Sequence, residues 1–374
     1  MLRRPLIARV LVAVCLAVCV IAVAGGCSDD GGDGSRSDAG RAAAATTATT
    51  ATTTTTTEPA CSTDASIRPG TERLTVTSGG VQRQVERVIP PAFDGTTRLP
   101  LIMDLHGFTS TIEQQDLFSN LPTAAPQRGY VLLTPQAAPA TVPVGDEQIS
   151  APFWNIYPGL AESMPGAQDD VAFLTELIDD AVSGLCVDAS RIYLTGFSNG
   201  AGMTAVMACE LAGRLAAIAP VSGVNLADDC TSPKPVSVIA FHGDADPLVD
   251  YGGRATRQRP IDSPSVEQRV AQFAQVAGCS DEPTVSTPFD DVVLRTYTGC
   301  EPGVDVELYT VVGGGHTWPG MLAYADVAKL AELGDAAKLA QAYGVDVGTI
   351  AGHMTTNIGA TSLMLDFFDA HRRP

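Results

Sequence analysis

The ten residues Arg191-Ile192-Tyr193-Leu194-Thr195-Gly196-Phe197-Ser198-Asn199-Gly200 decide the fold. Their first half is apolar enough to read as a strand. Their second half fits Gly-x-Ser-x-Gly, and a helical pattern runs on from Ser198 to about Gly213. A serine placed between strand and helix sits on a tight, strained turn, where a side chain at 196 or 200 would collide with neighbouring backbone. Its hydroxyl then projects above the strand ends. The backbone N–H of Asn199, at a helix N-terminus, is free to face an oxyanion.

Outward from this stretch, eight short runs rich in Val, Ile and Leu follow residue 70, at about 72–77, 82–89, 100–105, 129–134, 191–196, 216–222, 236–242 and 306–312. From 100 onward they are nearly continuous hydrophobics, as parallel strands covered on both faces should be. Helical patterns lie between them. Asp169 or Asp170 caps one, with Val171, Leu174, Ile178 and Ala181 on a common face and Gly184 near its end. Others run from about Val266 to Ala277 and from Ala360 to His371, the last with Leu363, Met364, Phe367 and Phe368 as its apolar stripe. The alternation predicts an α/β doubly wound domain from about 62 to 374, its sheet of eight strands mostly parallel and carrying helices on both faces.

A nucleophilic serine needs a base, and the base needs an orienting carboxylate. The chain has five histidines. His316 lies in Gly313-Gly314-Gly315-His316-Thr317-Trp318-Pro319-Gly320, directly after a strand, where α/β sheets place their chemistry. His353 and His371 read as surface residues, and His106 and His242, each before a glycine at a strand end, as loop-shaping groups. The acid should fall between serine and base in chain order. Asp244, Asp246 and Asp250 all follow the strand ending near Phe241; Asp246 is preferred, because Asp244 falls in the first tight turn and Asp250 lies past it. The second oxyanion donor should come from His106-Gly107-Phe108-Thr109, with the Phe108 N–H preferred and the Thr109 N–H next. Trp154 and Trp318 would wall a substrate site if exposed, and pack the core if not.

The N-terminus reads as an address. Arg3, Arg4 and Arg9 precede an apolar run from Val10 to Ala24, then Gly25, Gly26 and Cys27. This is the layout of a secretory signal, with Cys27 as the site of lipidation. Residues 27–60 are Ser/Asp/Gly-rich and then Ala/Thr-rich, a composition that cannot offset its ordering entropy and should form a tether. The catalytic domain is then 61–374. With Cys15 and Cys19 in the signal, six cysteines remain: Cys61, Cys186, Cys209, Cys230, Cys279 and Cys300. An even number in an exported domain reads as disulfides. Cys279 with Cys300 would close a short loop; Cys209 with Cys230 is preferred next, which leaves Cys61 with Cys186. There is no Cys-x-x-Cys pair, so zinc is not expected.

The charge is −19 over 374 residues, from 23 Lys and Arg against 42 Asp and Glu. That balance argues against a nucleic-acid partner and favours a neutral ester over a polyanion. At 45% hydrophobic and 17% charged, the chain can bury a sizeable core.

Leu105-His106-Gly107, Asp169-Asp170-Val171 with Phe173, Gly196-Phe197-Ser198-Asn199-Gly200, Phe241-His242-Gly243 with Asp246, and Gly315-His316-Thr317-Trp318-Pro319-Gly320 occur together in this order. In this the chain resembles the secreted polyhydroxybutyrate depolymerase and feruloyl esterase-like hydrolases of the carbohydrate esterase family 1 group, among which actinobacterial lipoproteins occur. The resemblance covers about 62–320 and 355–374. It implies an α/β-hydrolase fold and a Ser198, Asp246, His316 triad without metal or organic cofactor. Residues 321–354 depart from the group: this Ala/Leu-rich helical insertion would form either a cap over the site or a decoration beside the sheet. The expected protein is an exported, lipid-anchored serine esterase with a small or polymeric ester as substrate. The alternatives are a peptidase or acyltransferase on the same triad, and an inactive binding or adhesive lipoprotein on this scaffold.

Overall fold

The computed structural model describes residues 61, 63, 66–144, 147–157, 164–224, 230, 234–255, 262–321 and 347–373. Glu58–Pro374 forms one compact unit. The expected signal, the tether, Cys27 and residues 322–346 of the insertion lie outside the described residues.

Among the described residues the strands are β1 (Gly70–Ser78), β2 (Val81–Ile89), β3 (Leu99–Leu105), β4 (Val131–Pro135), β5 (Pro139–Val144), β6 (Glu147–Pro152), β7 (Val187–Phe197), β8 (Ala217–Val221), β9 (Ser237–Gly243), β10 (Thr284–Phe289), β11 (Val292–Tyr297) and β12 (Val306–Val311). The helices are α1 (Ile112–Ser119), α2 (Leu121–Gln127), α3 (Asp170–Gly184), α4 (Asn199–Glu210), α5 (Val266–Val276), α6 (Val347–Ala351) and α7 (Ala360–Ala370).

Ten strands form the main sheet, in the order β1-β2-β4-β3-β7-β8-β9-β12-β11-β10, and β5 and β6 pair as a separate ribbon. The eight expected runs are all strands of the main sheet. The stretch from β4 to β12 is parallel throughout, while β1, β2, β10 and β11 are joined antiparallel. The sheet is therefore larger and more mixed than the eight strands expected. Beyond the eight runs, the β5–β6 ribbon and two main-sheet strands are present; these two, β10 and β11, form a hairpin at the edge, and β10 is exposed along its whole length and contains Pro288. An edge tolerates proline and carries no buried run to betray it.

The central strands bury both faces, which explains their continuous hydrophobicity. In β7, Ile192 and Leu194 join the core under α3, α4 and α5, while Tyr193 between them joins the core under α2 and α7. In β9, Val238 and Ala240 face the first core, and Ile239 and Phe241 the second. The helices supply the matching stripes, Phe173, Leu174, Leu177 and Ile178 from α3 and Met364, Leu365, Phe367 and Phe368 from α7. Three disulfides, Cys61–Cys186, Cys209–Cys230 and Cys279–Cys300, tie the loops, in the pairing the sequence favours.

Because β3, β7, β8, β9 and β12 are parallel neighbours, their C-terminal ends share one edge. The register aligns Leu105 with Gly196, Phe197 with Val221, Val221 with Phe241, and Gly243 with Val311. Each residue singled out as chemical lies within a few residues of this row. Three of the non-glycine residues with positive φ, Thr109, Ser198 and Ser222, also lie here, where strain marks functional loops.

Candidate active site

Ser198 is the N-cap of α4, with φ 55° and ψ −113°, a conformation that L side chains rarely adopt. The turn is forced by close packing: a Cβ on Gly200 would lie 2.0 Å from the Leu105 carbonyl oxygen, and one on Gly196 would lie 2.6 Å from the Gly200 carbonyl. An N-cap serine ordinarily turns its hydroxyl onto the first helical N–H groups. Here it makes no such bond, and the half-buried hydroxyl has no hydrogen-bond partner among the described residues.

His316 and Asp246 form a hydrogen-bonded pair, with Nδ1 donating to Oδ2 over 2.7 Å. The other carboxylate oxygen, Oδ1, accepts the N–H groups of Leu248 and Val249 at 2.8 and 2.9 Å, so the loop after β9 fixes the carboxylate before the imidazole meets it. Burial pushes the Asp246 carboxyl up, but His316 and His242 outweigh it and hold the group well below the usual carboxylate range. Its two competitors are engaged elsewhere: Asp244 accepts the Gly313 N–H at 2.6 Å, and Asp250 pairs with Arg254.

The His316 loop is zipped to the return leg of the insertion. Its N–H donates to the Ile350 carbonyl at 2.7 Å, Gly315 N–H to Ala351 at 3.2 Å, and His353 N–H back to Gly313 at 2.8 Å. On the serine side, the Phe197 ring packs 4.8 Å from the His316 ring, and Ser222 donates to the Thr317 carbonyl at 3.1 Å. These contacts bring the His316 loop against the Ser198 turn. A serine–imidazole contact longer than a hydrogen bond is common in unliganded hydrolytic sites and tightens with substrate.

Between these groups two backbone donors are open. The N–H groups of Phe108 and Asn199 bond to nothing among the described residues, whereas Thr109 N–H is taken by the Pro152 carbonyl at 2.9 Å. His106 shapes this loop: Nδ1–H donates to the Gly107 carbonyl at 2.7 Å, and Nε2 accepts the Ala137 N–H at 3.0 Å. Burial lowers its pKa to about 4, so it is neutral and already doubly bonded. His242 donates from Nε2 to the Val249 carbonyl at 2.9 Å. His242 Nε2 also lies 3.3 Å from Asp246 Oδ2, so this ring braces the same carboxylate oxygen that meets His316.

Two readings need correction. Trp154 and Trp318 are 0% and 1% exposed and cannot wall a substrate site. Their indole N–H groups are spent inside the fold, on the His106 carbonyl at 2.9 Å and the Thr361 hydroxyl at 3.0 Å. His371 is buried rather than superficial, bonded to the Phe367 carbonyl and the Asp305 carboxylate. His353, by contrast, has an exposed side chain paired with Asp291.

Apolar side chains do lie next to the Asp246 and His316 loops, in residues the sequence did not single out for this role. A satellite cluster separate from both cores joins buried Ala140, Val142, Met164 and Leu248 with half-buried Phe108, Phe153 and Ile350. Phe108 and Phe153 meet edge to face at 5.9 Å. Three of these residues adjoin the candidate groups: Phe108 carries an open N–H, the Leu248 N–H donates to Asp246, and the Ile350 carbonyl accepts from His316.

A central parallel sheet with a serine on a strained strand–helix turn, and an acid–histidine pair on later loops of the same edge, defines an α/β-hydrolase. The sequence profile of the phospholipase/carboxylesterase family matches residues 94–281, half of the chain, and the chain belongs to that family. The match spans Ser198 and Asp246 and ends before His316. Feruloyl esterase B of Piromyces equi is 31% identical over 243 residues, which are 63% of this chain and 42% of that protein. Poly(3-hydroxyalkanoate) depolymerase C of Paucimonas lemoignei is 25% identical over 242 residues, 59% of this chain and 55% of that one. Among solved structures, the acetyl xylan esterase of Aspergillus awamori aligns at TM-score 0.46 and 16% identity, over 73% of this chain and 99% of that chain.

Proposed function

We propose that this chain is an extracytoplasmic serine esterase that cleaves carboxylic esters through an acyl-enzyme. The observation that carries the reading is the 2.7 Å Asp246–His316 pair beside a serine held at φ 55° with an uncommitted hydroxyl. Ser198 Oγ attacks the acyl carbonyl while His316 Nε2 takes its proton, and Asp246 stabilises the imidazolium through Nδ1. The carbonyl oxygen, now an oxyanion, accepts the Phe108 and Asn199 N–H groups. As the tetrahedral adduct collapses, His316 protonates the departing alcohol. Water, deprotonated by the same imidazole, then releases the acid and restores Ser198. None of these steps calls on a metal or organic cofactor.

The half-buried apolar side chains of Phe108, Phe153 and Ile350 beside the candidate groups favour an ester with an apolar acyl or alcohol part. The names of the two relatives, a feruloyl esterase and a poly(3-hydroxyalkanoate) depolymerase, point the same way. Export is supported by the N-terminal signal pattern and by three disulfides, which belong to an oxidising compartment, and Cys27 is the proposed lipid anchor. The net charge of −19 leaves lipid, rather than attraction to anionic headgroups, as the link to a membrane, and gives no footing for nucleic acid.

The test is hydrolysis of p-nitrophenyl acetate, feruloyl esters and hydroxybutyrate oligomers by the wild type and by Ser198→Ala, beside a peptide amide control. Turnover of esters by the wild type alone supports the reading. Peptide cleavage would move the assignment to a peptidase, and no turnover of any ester would overturn it.

A further inference from the structure

The Asp169-Asp170-Val171 motif has no part in the chemistry above, yet Asp170 is among the most deeply buried charges in the protein. It opens α3 and is 2% exposed. One carboxylate oxygen pairs with the guanidinium of Arg83, from β2, which lies 4.2 Å over the ring of Phe173. The other oxygen accepts the backbone N–H of Asn155 at 2.7 Å. An ion pair sealed in this way is costly to desolvate and adds little net stability, so what it holds in place matters more than its own energy.

What it holds is the strap Pro152–Asn155, and this strap touches both sides of the oxyanion site. On one side, the Asn199 side chain clasps the Trp154 backbone: Oδ1 accepts the Trp154 N–H at 2.7 Å, and Nδ2 donates to the Trp154 carbonyl at 3.0 Å. On the other side, the Trp154 indole donates to the His106 carbonyl at 2.9 Å, and the Pro152 carbonyl accepts the Thr109 N–H at 2.9 Å. The two open donors, Asn199 N–H and Phe108 N–H, come from different strand ends, and nothing in the sheet register alone fixes the gap between them to the tolerance catalysis needs.

We infer that the Pro152–Asn155 strap is the spacer that sets the distance between the two oxyanion donors, with Asn199 and Trp154 as positioning residues through their side chains and Asp170 as the anchor. This rests on reading the edge as an ester-hydrolysing site. The Asn199 amide does its work away from substrate, while the N–H of the same residue faces the oxyanion. The clasp also explains the burial of Trp154: its ring is a bracket and not a wall.

Asn199→Ala keeps the backbone donor and releases the clasp; Trp154→Phe keeps the ring and removes the indole donor. Asp170→Asn removes the anchor, but leaves Arg83 unpaired in the interior and is expected to fold poorly, so the first two carry the test. Active sites are counted by fluorophosphonate labelling of Ser198, and kcat is expressed per labelled site, which removes any loss due to unfolded protein. Each variant should lose about 10- to 100-fold in kcat per site with KM changed by less than about threefold, and bind a trifluoromethyl ketone more weakly in proportion. A kcat per site and ketone affinity equal to wild type would overturn the inference and leave the esterase assignment standing. A wild type that neither labels nor turns over would instead overturn the esterase assignment, and the spacer role with it.

Discussion

Asp246 and His316 are 70 residues apart in sequence and 2.7 Å apart in space, each delivered by the loop after one of two adjacent parallel strands, β9 and β12. The pair is built from the acid outward. Leu248 and Val249 N–H groups hold one carboxylate oxygen, and the other meets the His316 imidazole, with His242 Nε2 3.3 Å from it.

Asp246→Asn should therefore cost more than a hydrogen bond. The amide would present an N–H toward His316 Nδ1 and favour the tautomer that cannot accept the serine proton. Under the proposed mechanism kcat falls by about 10³- to 10⁴-fold at neutral pH, as measured by steady-state hydrolysis of a p-nitrophenyl ester. The wild-type carboxyl lies below its ordinary range, so it contributes stability above about pH 4 that is lost as the pH falls further. Asp246→Asn should flatten that acid limb in a thermal melt.

A second carboxylate has the opposite sign. Asp104 is fully buried on β3; Oδ1 accepts from Gln115 Nε2 at 2.6 Å, and Oδ2 has no partner among the described residues. Burial raises its pKa to about 7, with the neighbouring Ser119 hydroxyl and the Gln115 amide opposing the shift. The folded state therefore holds a proton that the unfolded chain releases near pH 4, and stability is lost as the pH rises from there through about 7. Asp104→Asn keeps the shape and cannot ionise. Its Tm should vary less than that of the wild type between about pH 5 and 8, and equal slopes would contradict the assignment.

Specificity should respond at the satellite cluster. Ile350 lies on the return leg of the insertion and packs with the cluster that holds Phe108 and Phe153. If that cluster meets the acyl group, as proposed, Ile350→Ala should lower kcat/KM for bulky or aromatic acyl esters about 3- to 10-fold relative to acetyl esters, the effect of losing one apolar contact. A ratio of the two rates unchanged from wild type would place the substrate elsewhere.

The disulfides should matter unequally. Cys61–Cys186 spans 125 residues, and the other two span 21 each. In the chain-entropy view the long closure contributes about 5 kcal/mol and each short one about 3 kcal/mol. The double replacement Cys61→Ser with Cys186→Ser should lower the denaturation midpoint more than either of the other double replacements.

How much of this was legible in the sequence follows from where each signal comes from. The central strands were readable because burial on both faces makes them continuous hydrophobics, and the Gly196–Gly200 turn because backbone crowding leaves glycine no substitute. The β10–β11 hairpin was not, since an exposed edge strand has no burial pattern to write into its residues. Helix α2 was hidden by Pro122 and Pro126, one at its start and one inside it. Helix α1 carries the Thr111-x-x-Gln114 capping box, but no apolar stripe follows it to mark the helix. The tryptophans misled because size and rarity say nothing about exposure. A spacer built from backbone carbonyls and one asparagine amide has no sequence signature at all, and only Asp170 in its motif hinted at it.

The central claim is that Ser198 is a nucleophile activated by its surroundings. Fluorophosphonate labelling of the folded wild type, followed by peptide mapping, tests it most directly. The account predicts a single adduct on Ser198, loss of ester hydrolysis in step with labelling, and no adduct in Ser198→Ala, whose Tm stays within about 2 °C of the wild type. An unlabelled Ser198 in protein that is folded by its melting curve, or an adduct on another residue, would contradict it.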